Sequence, residues 1–527
     1  MKNTLLFGWL KNNMPYQIFE SKKKSVKKVK NIALVDVGRT GDERQSNNEN
    51  QYNLALGYLG AMLLKEGYNV LILQESPGVD DRENLLNTLV GFSPDLIGYS
   101  SFSYQFKGTL KFKKELEKRL NGKGVISILG GIHASMSPKN SAKYFDYLVF
   151  SEGEETLKEL LLYLNKSIKK ELNEIQGLYF LDHNRKLIFT GRRERIINLD
   201  KYGAPLRLHF DLPNSGMVTP IPDDVTGFAP ITLSRGCIRA CAFCTNKEMM
   251  GCGKKARVMR NPEDIAKEIK KLYNKHNVNY FYTHDEDYTY DEEFIDKLSD
   301  VLISYKKDKK FGQIYIAGMG SIASFYKNGK PNKPLIKKFA KAGCHMIALG
   351  VERVTNLDLI DLHKGTTIKE VKEVTGALLE SGIAPVGLFI YGLQGDKKKE
   401  LEFMIEQAIK IPAIRYRFAA AYPLNGTEWR DNLPSDAWID KKFRKDNYAN
   451  CETPVLKTNF SKSVDDVGYK YLLNFEKRAQ RKIYASKDYA DGIKKFKKAT
   501  GKRFDKFFSK TWKDILTDEL GDIKFRW

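Results

Sequence analysis

Ser234-Arg-Gly-Cys237-Ile-Arg-Ala-Cys241-Ala-Phe243-Cys244 is the stretch on which the reading of this chain turns. Three closely spaced thiolates hold three corners of an iron-sulfur cube and leave one iron open to chemistry, and thiolate is the soft ligand such clusters need. A zinc knuckle would want a fourth Cys or His at defined spacing. Cys252, which follows among glycine and lysine, fits neither that nor a ferredoxin run. Unconnected structural thiols are the other alternative.

The flanking sequence supplies what such a loop requires. Pro230–Ser234 reads as a strand that delivers the cysteines at its C-terminal end, where parallel barrels build their sites. Asn261–Tyr273 carries a cap, proline at the first helical position and apolar residues at helical spacing. Val278–Thr283 reads as a strand and runs into His284-Asp285-Glu286-Asp287, carboxylates placed to meet an amino group or simply a solvated turn. The rhythm repeats in Gly312–Ala317 before Gly318-Met-Gly-Ser321, and in His345–Leu349 before Gly350-Val-Glu352-Arg353. It continues in Ala384–Tyr391 before Gly392-Leu-Gln-Gly395, and in Arg415–Ala420 before Tyr422-Pro-Leu-Asn-Gly-Thr427. Such alternation predicts parallel strands joined by crossover helices. The N-terminal third carries an independent alternation: strands at Asn31–Val37, Asn69–Leu73, Leu96–Tyr99, Val125–Leu129 and Asp146–Phe150, with a helix from Asn53 to Glu66. An open doubly wound sheet follows, and such sheets bind ligands outside the carboxyl ends of their strands. Order alone allows a nucleotide, a flavin or no ligand.

The Cys-x3-Cys-x2-Cys spacing with Phe243 before the third cysteine resembles the cluster loop of the radical S-adenosylmethionine (SAM) superfamily. The resemblance implies a 4Fe-4S cluster on Cys237, Cys241 and Cys244 whose open iron chelates SAM, with reductive cleavage to a 5'-deoxyadenosyl radical. It places Asp285 and Glu286 at the SAM amine, Gly350 and Glu352 near the ribose, and Gly318 and Ser321 among the SAM contacts. The run Ala55-Leu-Gly-Tyr-Leu-Gly-Ala61, then Pro94-Asp-Leu-Ile-Gly98, Gly130-Gly-Ile-His133-Ala134 and Glu152-Gly-Glu154-Glu-Thr156, is similar to the cobalamin-binding domain fused ahead of such barrels. That similarity implies cobalamin contacts at Ser100, Ser101, Gly130, Gly131, His133, Gly153 and Glu154. One departure is Asp36-Val-Gly-Arg39-Thr-Gly41, which lacks the histidine that other cobalamin domains place under cobalt and which His133 does not replace. Cobalt without a strong lower ligand favours methyl transfer as a radical event. No cysteine precedes Cys237, which argues against the methylthiotransferase branch.

The expected fold is α/β: a doubly wound, Rossmann-like sheet for cobalamin, a partial (β/α)6 TIM-like radical SAM barrel, and a small helical C-terminal extension. The expected boundaries are a basic leader at 1–30, the cobalamin-binding domain and linker at 31–200, the barrel at 215–435 and the cap at 436–527. The expected reaction methylates an unactivated carbon, one SAM supplying the radical and a second remethylating cobalt. No general base is assigned. Radical cyclisation, oxidation or rearrangement on the same architecture is the first alternative, and modification of RNA or protein through the basic C-terminal segment the second. The expected partners are a small-molecule or peptide substrate, acidic in keeping with the charge, and a one-electron donor such as flavodoxin or ferredoxin.

Charge bears on the RNA alternative. The net +23 of the 527 residues is concentrated at the ends, since residues 1–30 hold 8 basic and 1 acidic residue and residues 441–527 hold 23 and 12. The catalytic body is therefore near balance, and nucleic acid is not favoured. The aromatic and basic residues of Lys494–Lys498 and Lys502–Phe508 read either as a nucleic-acid surface or as an amphipathic helix whose aromatic side faces the barrel. Val467–Phe475 and Trp512–Leu516 read as helices, Cys344 as buried packing and Cys451 as a loop residue. Six cysteines fit a reducing cytoplasm, Leu5–Leu10 is too short for a signal peptide, and no apolar run is long enough for a membrane span.

Overall fold

The computed structural model describes residues 16–20, 28–38, 52–75, 82–207, 221–308, 311–440 and 454–501, which divide into two compact units, one on each side of the 208–220 stretch. In the first unit, β1 (Tyr16–Phe19), β2 (Asn31–Asp36), β3 (Asn69–Gln74), β4 (Leu96–Ser100), β5 (Ile126–Gly130), β6 (Tyr147–Val149), β7 (Leu178–Leu181) and β8 (Leu187–Phe189) form one eight-stranded sheet. Their order is β1-β3-β2-β4-β5-β6-β7-β8. The five central strands are parallel, and β2 and β3 are buried almost throughout because helices cover both faces. Helices Leu54–Lys65 and Glu154–Leu164 pack Met62, Leu63, Leu157 and Leu161 against one face. Helices Arg82–Phe92 and Phe106–Leu120 pack Leu85, Leu89, Phe112 and Leu116 against the other. From β2 the chain steps to one side and then returns to the other, so strand order reverses between β2 and β4. That reversal opens a crevice at their carboxyl ends.

The edges depart from expectation. β1, inside the stretch read as a basic leader, pairs antiparallel with β3, while β7 and β8, inside the stretch read as linker, extend the sheet antiparallel beyond β6. These strands are only three or four residues long and half exposed, too short for alternation to register.

The second unit is built on six parallel strands in sequential order: β9 (Phe228–Ile231), β12 (Tyr280–Thr283), β13 (Tyr315–Gly320), β16 (Cys344–Glu352), β17 (Ala384–Tyr391) and β18 (Arg415–Ala420). Helices Pro262–His276, Glu292–Tyr305, Lys333–Ala342, Ile368–Glu380 and Lys398–Ile409 cross between them, which is the winding of a partial TIM-like barrel. The expected single strand Pro230–Ser234 is divided. β9 ends at Ile231, and β10 (Ser234–Arg235) turns away to pair antiparallel with β11 (Val258–Met259). A small hairpin, β14 (Tyr326–Lys327) with β15 (Lys330–Pro331), follows β13.

Beyond β18, the expected helix Val467–Phe475 is two helices, Val467–Leu473 and Phe475–Tyr484, broken at Asn474. Phe475, Ile483, Tyr484 and Tyr489, together with Phe496 of helix Lys487–Thr500, join the barrel's core. The amphipathic reading therefore holds for the described part of the basic segment, its aromatic side being packed inward. Arg39–Gly41, Cys451, Lys502–Phe508 and Trp512–Leu516 lie outside the described residues.

Candidate cluster and cofactor sites

β10 carries the chain into the cysteine loop. Cys237 Sγ accepts the Arg239 N–H at 3.4 Å, and Cys244 Sγ accepts the Asn246 N–H at 3.5 Å while capping the short helix Thr245–Met250. None of the three thiols is in a disulfide, and burial pushes their pKa values up, Cys237 to about 11. The three lie close enough that the Cys241 and Cys244 thiolates raise Cys237 further. Among the described residues, no three His, Cys, Asp or Glu side chains converge on a single-ion site. Three thiols sharing one loop, Cys241 buried and Cys237 and Cys244 half-buried, the last two receiving backbone N–H bonds, fit a multi-iron cluster that spreads its ligands apart.

The acidic turn after β12 divides its labour. Asp285, carried forward as a SAM-amine ligand, is buried, and both its oxygens are used inside the protein. They accept from the Leu233 N–H at 2.9 Å, the Ser234 N–H at 2.5 Å and the Ser234 hydroxyl at 2.6 Å. It thereby pins the bend between β9 and β10, with its pKa raised to about 7 by burial. Glu286 is exposed and accepts the Gly236 N–H at 2.9 Å, one residue before the first cysteine. Asp287 is the residue that sequence reasoning passed over. It is 3% exposed, its Oδ1 accepts from Thr289, and its Oδ2 is enclosed without a partner while its charge acts on Cys237. Arg257, which reads in sequence as one more member of a lysine run, is 8% exposed. All three of its guanidinium nitrogens lack a partner, and the group stands 5.3 Å from the Tyr290 ring centroid.

Gly318 lies within β13 rather than after it. A Cβ there would stand 2.0 Å from Thr283 Oγ1, so the glycine serves strand packing, not the approach of a nucleotide. Ser321 donates its N–H to Thr289 Oγ1 and shares its hydroxyl with Ser324 at 2.7 Å. Gly350 and Glu352 fall at the end of β16, where Glu352 takes φ 62° and its carboxylate meets Lys364 Nζ at 2.7 Å. Arg353 makes a buried bidentate pair with Asp396, which also caps the Gly392 and Leu393 N–H groups after β17.

In the first unit, Asp36, Ser100 and Gly130 line up at the carboxyl edge of neighbouring strands, and Asn53 bridges Asp36 and Ser100 at 3.0 and 3.2 Å. Gly131, at φ 88°, passes so close to Ser100 and Ser101 that a Cβ would meet them at 3.1–3.3 Å, whereas nothing lies nearer than 3.9 Å to a Cβ on Gly130. This backbone-lined edge fits a large planar cofactor. His133 follows Gly131 on the short helix Ile132–Met136. It is fully enclosed, its Nδ1 lies 3.1 Å from the Ser103 hydroxyl, its ring centroid lies 3.9 Å from that of Phe106, and burial lowers its pKa to about 4. Ser101 is likewise enclosed, bonded to Phe102 and Thr109. Gly153 and Glu154 start helix Glu154–Leu164, with Glu154 buried. Gly57 and Gly60 in the Ala55–Ala61 run admit the Leu206 carbonyl and the Ile72 side chain.

Residues 231–408 match the radical SAM superfamily, and residues 48–161 match the B12-binding domain. The chain is 28% identical over 361 residues to the anaerobic magnesium-protoporphyrin IX monomethyl ester cyclase of Cereibacter sphaeroides, covering 66% of this chain and 54% of that protein. The chain thus spans about half the length of that relative. It is 22% identical over 438 residues to the cytidylyl-2-hydroxyethylphosphonate methyltransferase of Streptomyces wedmorensis, covering 74% and 79%. Its fold is shared with the cobalamin-dependent SAM radical enzyme OxsB, at a TM-score of 0.64 and 17% identity over 94% of this chain and 75% of that one. The radical SAM domain implies a 4Fe-4S cluster and SAM, and the B12-binding domain implies cobalamin. The chain is a radical SAM protein with a B12-binding domain ahead of its radical SAM domain, homologous to the protoporphyrin ester cyclase and to the cytidylyl-2-hydroxyethylphosphonate methyltransferase.

Proposed function

We propose that this enzyme methylates an unactivated carbon of a small-molecule or peptide substrate. The observation that carries the reading is the joining, in one chain, of a three-cysteine cluster loop to a B12-binding sheet, and a methyltransferase among the relatives supports it. When bound, the cluster and SAM supply a hydrogen-abstracting radical and cobalamin supplies a methyl group. The protein binds, orients and excludes water. Cys237, Cys241 and Cys244 would hold the cluster. Asp285 fixes the bend that presents them, and Glu286 ties down Gly236 just before Cys237.

SAM carries an ammonium and a carboxylate, and the two unmatched charges at this site have the complementary signs. Asp287 Oδ2 would take the ammonium and Arg257 the carboxylate. Gly130 and Gly131 would let cobalamin approach the backbone of the first unit. The enzyme works in a reducing compartment with a one-electron donor. No helix among the described residues is long and apolar enough to cross a membrane.

The test is iron and cobalt counted per chain after anaerobic reconstitution, followed by label transfer from methyl-labelled SAM into candidate substrates. Iron and cobalt together with transferred label support the reading. Iron without cobalt, or deoxyadenosine formed with oxidised and unlabelled product, replaces it with a radical oxidation or rearrangement.

A further inference from the structure

The cysteine loop is gripped from a second direction by residues more than a hundred positions away. After β16 and the helix Asn356–Asp361, the segment 362–365 returns to the loop. The Ala242 N–H donates to the Leu362 carbonyl at 3.4 Å, and a Cβ on Gly365, at φ 64°, would stand 2.9 Å from Arg239 Nη1. Between these two contacts stands Lys364. Its Nζ lies 6.0 Å from the ring centroid of Phe243, the residue flanked by Ala242 and Cys244, and 2.7 Å from Glu352 Oε1.

The site is built around this pair. A Cβ on Gly350 would fall 2.4 Å from Lys364 Nζ and 2.3 Å from Glu352 Oε1, so the glycine lets the two head groups sit where they do and any side chain there would make them shift. Glu352 accepts left-handed backbone at φ 62°, a conformation that a non-glycine residue holds only where its surroundings impose it. Both side chains are largely withdrawn from water, at 19% and 10% exposure. A surface ion pair would need neither the missing side chain at Gly350 nor the strained backbone.

We propose that Lys364 is a positioning charge for the cluster and sets its reduction potential, with Glu352 opposing it. The inference rests on the cluster reading above. One electron passes from a one-electron donor to the cluster and no proton moves. A fixed cation held against the cysteine loop favours the state with the extra negative charge, and a carboxylate disfavours it. In low-dielectric surroundings a unit charge at such a distance changes that equilibrium about tenfold or more.

The test is a redox titration followed by electron paramagnetic resonance on the full chain, anaerobically reconstituted, without SAM and at one pH. At the potential that half-reduces the wild type, Lys364→Gln is expected to hold a reduced-to-oxidised ratio about tenfold lower, a shift of about 59 mV for one electron. Lys364→Arg is expected to restore the wild-type curve, and Glu352→Gln to move it the opposite way. A Lys364→Gln protein with its full iron content and an unmoved potential overturns the proposal, as do both variants shifting in the same direction. Should Lys364→Gln fail to hold iron, Glu352→Gln decides alone, and an unmoved potential there overturns it. A wild-type chain that binds no iron refutes instead the cluster reading on which the proposal stands.

Discussion

His133 puts a number on the difference between a core histidine and a cofactor contact. It is enclosed completely, and burial lowers its pKa from 6.5 to about 4. The folded first unit therefore binds this proton less readily than the unfolded chain does. The stability tied to a neutral His133 is complete above about pH 6.5 and is lost as pH falls towards 4. Over the whole window this amounts to about 3 kcal/mol, and between pH 7 and pH 5 to about 2 kcal/mol. His133→Phe keeps a ring against Phe106 and removes the titration, at the loss of the Ser103 hydrogen bond, which contributes about 1 kcal/mol.

Both apoproteins would be pulsed with protease along a urea series at pH 7 and pH 5, and peptides of the first unit would be counted by mass. Counting peptides separates the units where bulk tryptophan fluorescence would mix them, since Trp429 and Trp438 belong to the second unit and Trp9 falls within the range of the first. Other titrating groups affect both proteins alike and cancel in the difference. The wild type should lose about 2 kcal/mol more than the variant on acidification. Equal losses in the two proteins would refute the enclosed, neutral histidine. Cobalamin binding at pH 7 should survive the substitution, since the ring faces the core.

Three further outcomes follow from the geometry. Cys241→Ala should abolish iron loading and SAM cleavage while the full chain still takes up cobalamin, and deoxyadenosine production by this variant would remove the cluster assignment. Asp285→Asn turns an amide N–H towards donors at Leu233 and Ser234, so a destabilisation of about 1–3 kcal/mol is expected in melts of the apoprotein, with less iron per chain on reconstitution. A wild-type melt and iron count would show that the bend does not depend on it. Gly318→Ala should cost about 1–3 kcal/mol by overpacking against Thr283, and Thr283→Ala in the same chain should recover most of that. Strictly additive effects in that cycle would mean that Gly318 is glycine for another reason.

What the sequence made legible was whatever depends on near neighbours. β17 and β18 have the bounds read for them in the sequence, Ala384–Tyr391 and Arg415–Ala420, and Asn261 with Pro262 announces its helix. The cysteine spacing lies within a single loop and carries its own meaning. What was not legible depends on partners far along the chain. β9 stops early because Asp285, fifty-odd residues on, captures the Leu233 and Ser234 N–H groups. Gly318, Gly57 and Gly60 look like room for a ligand, but each makes room for another part of the protein. Arg257 carries the same letter whether it is solvated or enclosed, and nothing in Lys254-Lys-Ala-Arg257 tells which.

The enclosed polar atoms without partners differ in weight, and that difference supports the place proposed for SAM. Thr283 and Ser299 each bury a lone hydroxyl, a neutral group whose desolvation a stable domain absorbs at about 1–3 kcal/mol. Asp287 Oδ2 and the Arg257 guanidinium are charged. A charged group enclosed with its hydrogen bonding incomplete, as at Asp287 Oδ2 and the Arg257 nitrogens, costs more than a neutral hydroxyl left in the same state. Each could have been neutralised by one substitution, yet both stand beside the bend that carries the cysteines: Asp287 acts on Cys237, and Arg257 acts on Asp285. A ligand bearing one charge of each sign satisfies both at once. Of the molecules these two domains imply, SAM carries that pair of charges on its amino-acid end. The cost of leaving these groups unmatched in the free protein then becomes selectivity for a ligand that matches them.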